Sequence, residues 1–285
     1  MEIPYTVSTR PDTGLWNAKV GIWLFLASEV MLFGGLFSAY IFLRLDAQPG
    51  MWPHGLLNVP VGTMNTAILI ASSVTVVLAW AALKMRRYNA YWWYMLATIL
   101  CGVIFLSVKL SYEWPQKFQH FGAYIKPAAL GKYEKYLGNE HAAAKGLPPR
   151  LEITGHLHEE TATEYEVALD PLNADPTNPS LDRPHFFPLP ATDKIATIEK
   201  KDVERATMFY PKHSDYFASY FTITGLHGMH VLGGVLVFIY MWLPVSKRLY
   251  QSNPEHLANR VEVAGLFWHF VDLVWIFVFP LFYLL

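Results

Sequence analysis

Leu26-Ala27-Ser28-Glu29-Val30-Met31-Leu32-Phe33-Gly34-Gly35 sets one carboxylate in the middle of an apolar run. From Val20 to Leu43 Glu29 is the only side chain that is charged at neutral pH when free in water, and a helix of that length crosses a hydrocarbon layer of ~30 Å. An acid at that depth costs at least ~2.5 to 3.5 kcal/mol unless it is protonated or paired. The run therefore reads as a membrane span whose acid is either protonated or paired. The candidate partners are His227 or His230 of a later span, or a lipid headgroup.

Similar apolar windows follow at Val59 to Leu83, Tyr91 to Tyr112, Tyr216 to Leu243 and Val263 to Leu285, each near or beyond the roughly 20 residues a crossing helix needs. The expected fold class is all-α: a polytopic membrane bundle of five transmembrane helices with a large external polar insert between helices three and four. The composition agrees, with 53% hydrophobic, 15% aromatic and only 16% charged residues among 285. A net charge of -1 points to neither nucleic acid nor an acidic partner. The first window is full length and ends in Tyr40-Ile41-Phe42-Leu43-Arg44, so it reads as a retained span rather than a cleaved signal. Cys101 is the single cysteine, which excludes an internal disulfide and an iron-sulfur cluster housed by this chain alone.

Basic residues in short loops are held on the cytoplasmic side. Lys84, Arg86 and Arg87 follow span two, Lys247, Arg248 and Arg260 follow span four, and Arg10 and Lys19 precede span one; the opposite short loop offers Arg44. The N-terminus is thus expected in the cytoplasm and the C-terminus outside, with Tyr88, Trp92, Trp93 and Trp114 as interfacial anchors. The chain divides into residues 1–114 (spans one to three), 115–214 (insert) and 215–285 (spans four and five). The insert clusters prolines from Pro176 to Pro190 and suggests short helices near Pro127 to Lys145 and Asp193 to Met208. Its His156-Leu157-His158 pair reads as solvated loop histidines rather than a metal site.

The other membrane-embedded polar groups form a set with Glu29: Asn65, Glu113, His227, His230, Glu262, His269 and Asp272. His227 and His230 share a helical face among glycines. In span five Glu262, Gly265, His269, Asp272 and Ile276 fall at steps of three and four, a polar stripe expected to face inward with Trp268, Phe270, Leu273 and Trp275 off that line. The set is either interhelical glue or a lipid, metal, haem or proton site. No glutamate of the spans has a histidine three residues later, which removes a helical di-iron site. A two-haem cytochrome needs histidines facing across the bundle, yet His213 falls outside span four and spans one to three contain none.

Ala27-Ser28-Glu29-Val30-Met31-Leu32-Phe33, Asn65-Thr66 with Leu69 and Ala71-Ser72-Ser73, Tyr112-Glu113-Trp114-Pro115, Thr224-Gly225-Leu226-His227-Gly228-Met229-His230-Val231 and Trp268-His269-Phe270-Val271-Asp272-Leu273-Val274-Trp275 together resemble subunit III of the haem-copper terminal oxidases, in the family's order. The resemblance implies a chain with no catalytic residues and no haem, copper or other metal of its own, which packs against the catalytic subunit I and holds phospholipid in its helical cleft. Haem and copper are then expected on partner subunits, with subunits I and II and a small subunit IV as neighbours and cytochrome c as donor to the complex. It further implies support of proton uptake, oxygen access and stability of subunit I in an aerobic respiratory chain that translocates protons, in a bacterial inner membrane. The insert, expected outside from the loop charges, is a candidate contact for another respiratory subunit. The resemblance is to the five-span form, which is expected to lack the two helices that open the seven-span form. The insert is outside the usual pattern, and Lys109-Leu110 stand where relatives often carry a small residue and an acid. The alternatives are a ubiquinol oxidase subunit III, an accessory protein of nitric oxide reductase, and, in another class, a small membrane transporter lined by Glu29, His227 and Asp272; the inverted repeats and broken spans of a transporter are not visible.

Overall fold

The structure, a computed structural model, describes residues 17–47, 57–115, 120–144, 146, 149–178, 192–208 and 215–284. Arg10, His213 and most of the proline cluster lie outside them. The chain forms two compact units, one within residues 1–47, 61–109 and 222–285, the other within 48–60 and 110–221.

Five helices are long and apolar enough to cross a membrane, and they coincide with the windows read from the sequence. They are α1 (Asn17–Asp46), α2 (Val59–Lys84), α3 (Tyr88–Val108), α4 (Asp215–Trp242) and α5 (Pro254–Phe279). Each is apolar nearly all round, as a helix in lipid must be, because backbone groups there can be satisfied only within the helix. Wider π turns extend α3 over Lys109–Glu113 and α5 over Pro280–Leu284. Pro280 explains the second, since its missing N–H and its ring disrupt the regular ladder at that point.

The bundle is fastened by close approach and by a few directed bonds. Buried Leu26, Phe33 and Tyr40 recur every seven residues on α1, so this helix docks through one narrow seam. At the far end of that seam the Tyr40 hydroxyl donates to the Leu281 carbonyl at 3.1 Å. On α5 the indole N–H groups of Trp268 and Trp275 donate to Ser72 Oγ and Thr66 Oγ1 of α2, each at 2.9 Å. The line of α5 that faces the core is therefore led by Trp268 and Trp275, at 0% and 1% exposure; of the polar stripe, Gly265 and Asp272 are buried, while Glu262 and His269 are half-buried. Ile276, expected inward, is 46% exposed. The large flat indole of Trp268 fills the space opposite Gly102 and Gly234, and its bulk favours this rotation of the helix.

In the second unit the helix expected over Asp193 to Met208 is reduced to a 3-10 turn at Lys200–Asp202 between two strands. The insert instead carries an antiparallel sheet of order β4-β3-β2-β1-β5, from β1 (His120–Ile125), β2 (Glu152–Glu160), β3 (Glu164–Leu169), β4 (Ile195–Glu199) and β5 (Val203–Met208). Ile195-Ala196-Thr197-Ile198 alternates exposed and buried, the period of a strand, and its β-branched residues suit a pleated surface. Phe121, Ala123, Ile125, Ile153, Val167, Leu169, Ala196 and Ile198 point to one face and form a core with Tyr133 and Leu137. Those two come from the helical stretch near Pro127 to Lys145. It is a 3-10 helix (Pro127–Tyr133) followed by two short α-turns, interrupted at Gly138 with φ 63°, where a Cβ would lie 2.5 Å from Pro176. Lys145 lies outside the described residues. His156 and His158 sit on β2 beside an irregularity in its pairing with β3, not in a loop.

An exposed lysine ties this sheet together at its edge. Lys132 reaches Glu199 at 2.6 Å and Asp202 at 2.7 Å, and holds both carboxyl groups below their ordinary values. Carboxyl groups lowered in the folded state add stability above their unfolded values and lose it as pH falls through the folded ones. The insert is thus expected to loosen below about pH 4, and Lys132→Ala should flatten that dependence, as read by amide exchange in β4 across a pH series.

Candidate functional site

The structure separates the polar residues of the spans into pairs rather than gathering them into one centre. Glu29 Oε2 lies 3.0 Å from His230 Nε2, which selects His230 over His227 as its partner. The other ring nitrogen of His230 lies 2.7 Å from the Leu226 carbonyl, which can only accept, so Nδ1 carries hydrogen. The 3.0 Å contact then shares one proton between acid and imidazole. Phe33 packs edge-on and Phe267 face-on against the His230 ring. Three residues away and 60° round the helix, His227 turns instead to α3 and α5. It is 1% exposed between Phe105 and Trp275, with ring centroids 5.7 and 5.1 Å away, and neither ring nitrogen has a hydrogen-bond partner among the described residues.

Asn65 is fully buried on α2 beside Thr66, and its amide likewise has no partner among the described residues. Lys109, 5% exposed, places its ammonium 4.5 Å from the Trp275 ring and donates to the Tyr283 hydroxyl, so the aromatic cluster takes up a cation that α3 would otherwise leave in hydrocarbon. Glu262 pairs with Lys19 of α1 at 2.6 Å. His269 Nδ1 lies 2.9 Å from Ser73 Oγ, and the same hydroxyl donates to Asp272, which is 5% exposed. In the second unit Glu113, 2% exposed, accepts from Tyr220 at 3.3 Å.

Three of the partners, Ser73, Lys19 and Tyr220, are absent from the set read from the sequence. Hydroxyls in a span satisfy their own preceding turn as readily as a neighbour, so residue type alone does not distinguish Ser73 from Ser72. Among the described residues no group of three or more His, Cys, Asp or Glu is placed to hold a metal ion.

A cavity of about 480 Å³ opens between the first half of α1, the second half of α4 and the start of α5. Its walls are apolar, among them Ile22, Val237, Val263 and Phe267, and Gly233-Gly234 leave it room; Asn259 and Arg260 supply its polar end.

The profile of the family Cytochrome c oxidase subunit III matches residues 12–120 and 197–285, which include all five spans. The chain belongs to this family. The unmatched residues between those stretches hold most of the insert sheet. The chain is 25% identical over 93% of its length to the "Heme-copper oxidase subunit I+III" of Aeropyrum pernix, where the match occupies 22% of that longer protein. It is 22% identical to the "Cytochrome c oxidase subunit 3" of Alkalihalophilus pseudofirmus, covering 94% of this chain and 87% of that one. A "Probable quinol oxidase subunit 3" of Staphylococcus haemolyticus is 21% identical over 98% of this chain and 94% of its own. As a subunit III of the haem-copper oxidases, the chain is a membrane protein of a multisubunit complex whose catalytic role lies elsewhere.

Proposed function

We propose that this subunit III is the non-redox support of a cytochrome c oxidase, seated against subunit I, with haem and copper on subunits I and II and cytochrome c as donor. The observation that carries the reading is the family match over all five spans, together with a relative, matched by 93% of this chain, whose name joins subunits I and III. The uncovered apolar surface of α1, with Trp23, Leu24, Met31 and Phe42 between 58% and 77% exposed, is suited to such a neighbour or to lipid. The assembly would reduce oxygen to water and translocate protons. This chain would sustain proton uptake and oxygen access without taking part in the redox chemistry. The α1/α4/α5 cavity is the best place for phospholipid: its walls suit an acyl chain, and Arg260 suits a phosphate. A small subunit IV and a further respiratory subunit at the insert complete the expected partners.

Affinity purification of the tagged chain tests the reading. Haem-bearing partners that oxidise reduced cytochrome c are expected. A complex that oxidises only quinol would move the chain to the quinol branch, and purification without haem partners would remove the oxidase reading altogether. Orientation is tested in Cys101→Ser with His156→Cys or Lys247→Cys, using an impermeant thiol reagent on intact cells. The proposed cytoplasmic N-terminus predicts labelling at His156→Cys only.

Glu29→Ala should leave the haem spectrum and first turnovers of the complex nearly intact while shortening its active lifetime or loosening bound lipid, because it frees α1 from His230 without touching a redox centre. Glu29→Gln, which keeps a hydrogen bond, should be milder. Oxygen uptake followed over many turnovers, with lipid quantified, decides. Loss of the very first turnovers in an assembled complex of normal haem content would place the acid in the chemistry.

A further inference from the structure

The Ser73 hydroxyl has one hydrogen and two partners. It lies between His269 Nδ1 at 2.9 Å and a carboxylate oxygen of Asp272, on the flank where α2 meets α5. His269 is partly exposed, whereas Asp272 is 5% exposed and its second oxygen, Oδ1, has no partner among the described residues. The three groups thus run from an outer imidazole through a hydroxyl to an inner acid. We propose that His269, Ser73 and Asp272 form a proton relay, in which a proton arriving at His269 Nε2 is taken up as the neutral acid of Asp272.

The chemistry follows from donor counting. In the deprotonated state Asp272 accepts the Ser73 hydrogen, Ser73 Oγ accepts Nδ1–H of His269, and Nε2 holds a lone pair. A proton added at Nε2 lets the Nδ1–H bond break as an Oγ–H bond forms, while the former Oγ–H bond breaks as Oδ2–H forms. His269 ends as the neutral Nε2–H tautomer. Asp272 then donates to Ser73, and Ser73 donates to Nδ1. One proton has entered, the carboxylate charge is gone, and every hydrogen bond of the chain has reversed direction without a change of rotamer. Loss of the Nε2 proton resets the relay. Chains of Asp, His and hydroxyl groups inside spans are the usual material of intramembrane proton paths.

The neighbouring charges leave this unit to itself. From α3, Cys101 lies within electrostatic range of Asp272, and Lys109 donates to Tyr283. From α1 and α4, Glu29 pairs with His230 and Lys19 with Glu262, and His227 is held between Phe105 and Trp275. From α2, Lys84 pairs with Glu255.

Infrared difference spectra of the purified chain in its native assembly, recorded between acid and base, test the relay. A carbonyl band of a protonated carboxylic acid, sensitive to deuterium, should appear on acidification and be absent in Asp272→Asn. Ser73→Ala cuts the relay and should move the midpoint of that band by about one pH unit or more, a tenfold change in proton affinity, while Ser73→Thr should keep the parent midpoint. An Asp272→Asn spectrum identical to the parent overturns the proposal. So does a Ser73→Ala midpoint equal to that of Ser73→Thr, a comparison that stands even if Asp272→Asn fails to assemble.

Discussion

Trp268→Ala is expected to lower the stability of the helical unit by about 3–5 kcal/mol, the cost of emptying a large buried aromatic site. Trp268 is fully buried, donates to Ser72 and packs at 5.1 Å from Phe238. Its ring occupies space that two other helices vacate: a Cβ added at Gly102 would come within 2.9 Å of it, and one at Gly234 within 2.7 Å. Truncation leaves a cavity between three helices and an unfilled acceptor at Ser72. Gly234→Val, the reverse change, should be similarly severe, because both the indole and the helices that carry it are fixed by other contacts. Trp93→Ala is the control, since Trp93 is 65% exposed. Heating the detergent-solubilised complex with a thiol reagent and following modification of Cys101 on α3 reads the loss directly. Equal curves for Trp268→Ala and Trp93→Ala would mean that α5 is not held by this residue.

Gly155→Val should break the insert sheet while leaving the spans folded. Gly155 pairs with Phe121 of β1 and Leu169 of β3, and a Cβ there would lie 2.2 Å from the Ala168 carbonyl oxygen and 2.8 Å from Val167. The nearest atom is backbone, so no side-chain rotation relieves the clash; the strands must part. Overpacking of this kind costs about 1–3 kcal/mol or more, and the core of the insert, which contains Ile153, Val167 and Leu169, lies on the strands concerned. Amide exchange should show protection lost across β2 and β3 and retained in α2, α3 and α5. Asn173→Ala is a milder probe of the same unit, because its buried amide accepts from Thr154 N and Oγ1 and donates to the Tyr136 carbonyl. Retained protection in both variants would show that the pairing tolerates far more than its spacing implies.

The spans were legible in the residues because the bilayer makes a one-dimensional demand: some 20 apolar residues in a row, whatever they touch. Five such runs, an acid at Glu29 that had to be protonated or paired, and the motifs of α1, α4 and α5 determined the class and the family without any knowledge of packing. The insert was less legible. Between Ile195 and Met208 a short alternating run competes with a plausible helical composition, and only pairing with β3 and β1 makes it β4 and β5.

Within the spans, tertiary structure decided which side of each helix is inside. A residue's period around a helix names its neighbours on that helix but not the neighbour across the gap. His227 and His230 look alike in sequence, and only the positions of Glu29, Phe105 and Trp275 send one to an acid and the other between two rings. The polar stripe of α5 was visible as a period, yet the rotation that puts Trp268 and Trp275 at the centre and His269 and Asp272 on the flank depends on the room left by Gly102 and Gly234 on other helices. The meeting of Ser73 with both His269 and Asp272 follows from that same rotation. Composition and order along the chain determined what the protein is; volume complementarity between helices distant in sequence decided which of its polar groups meet.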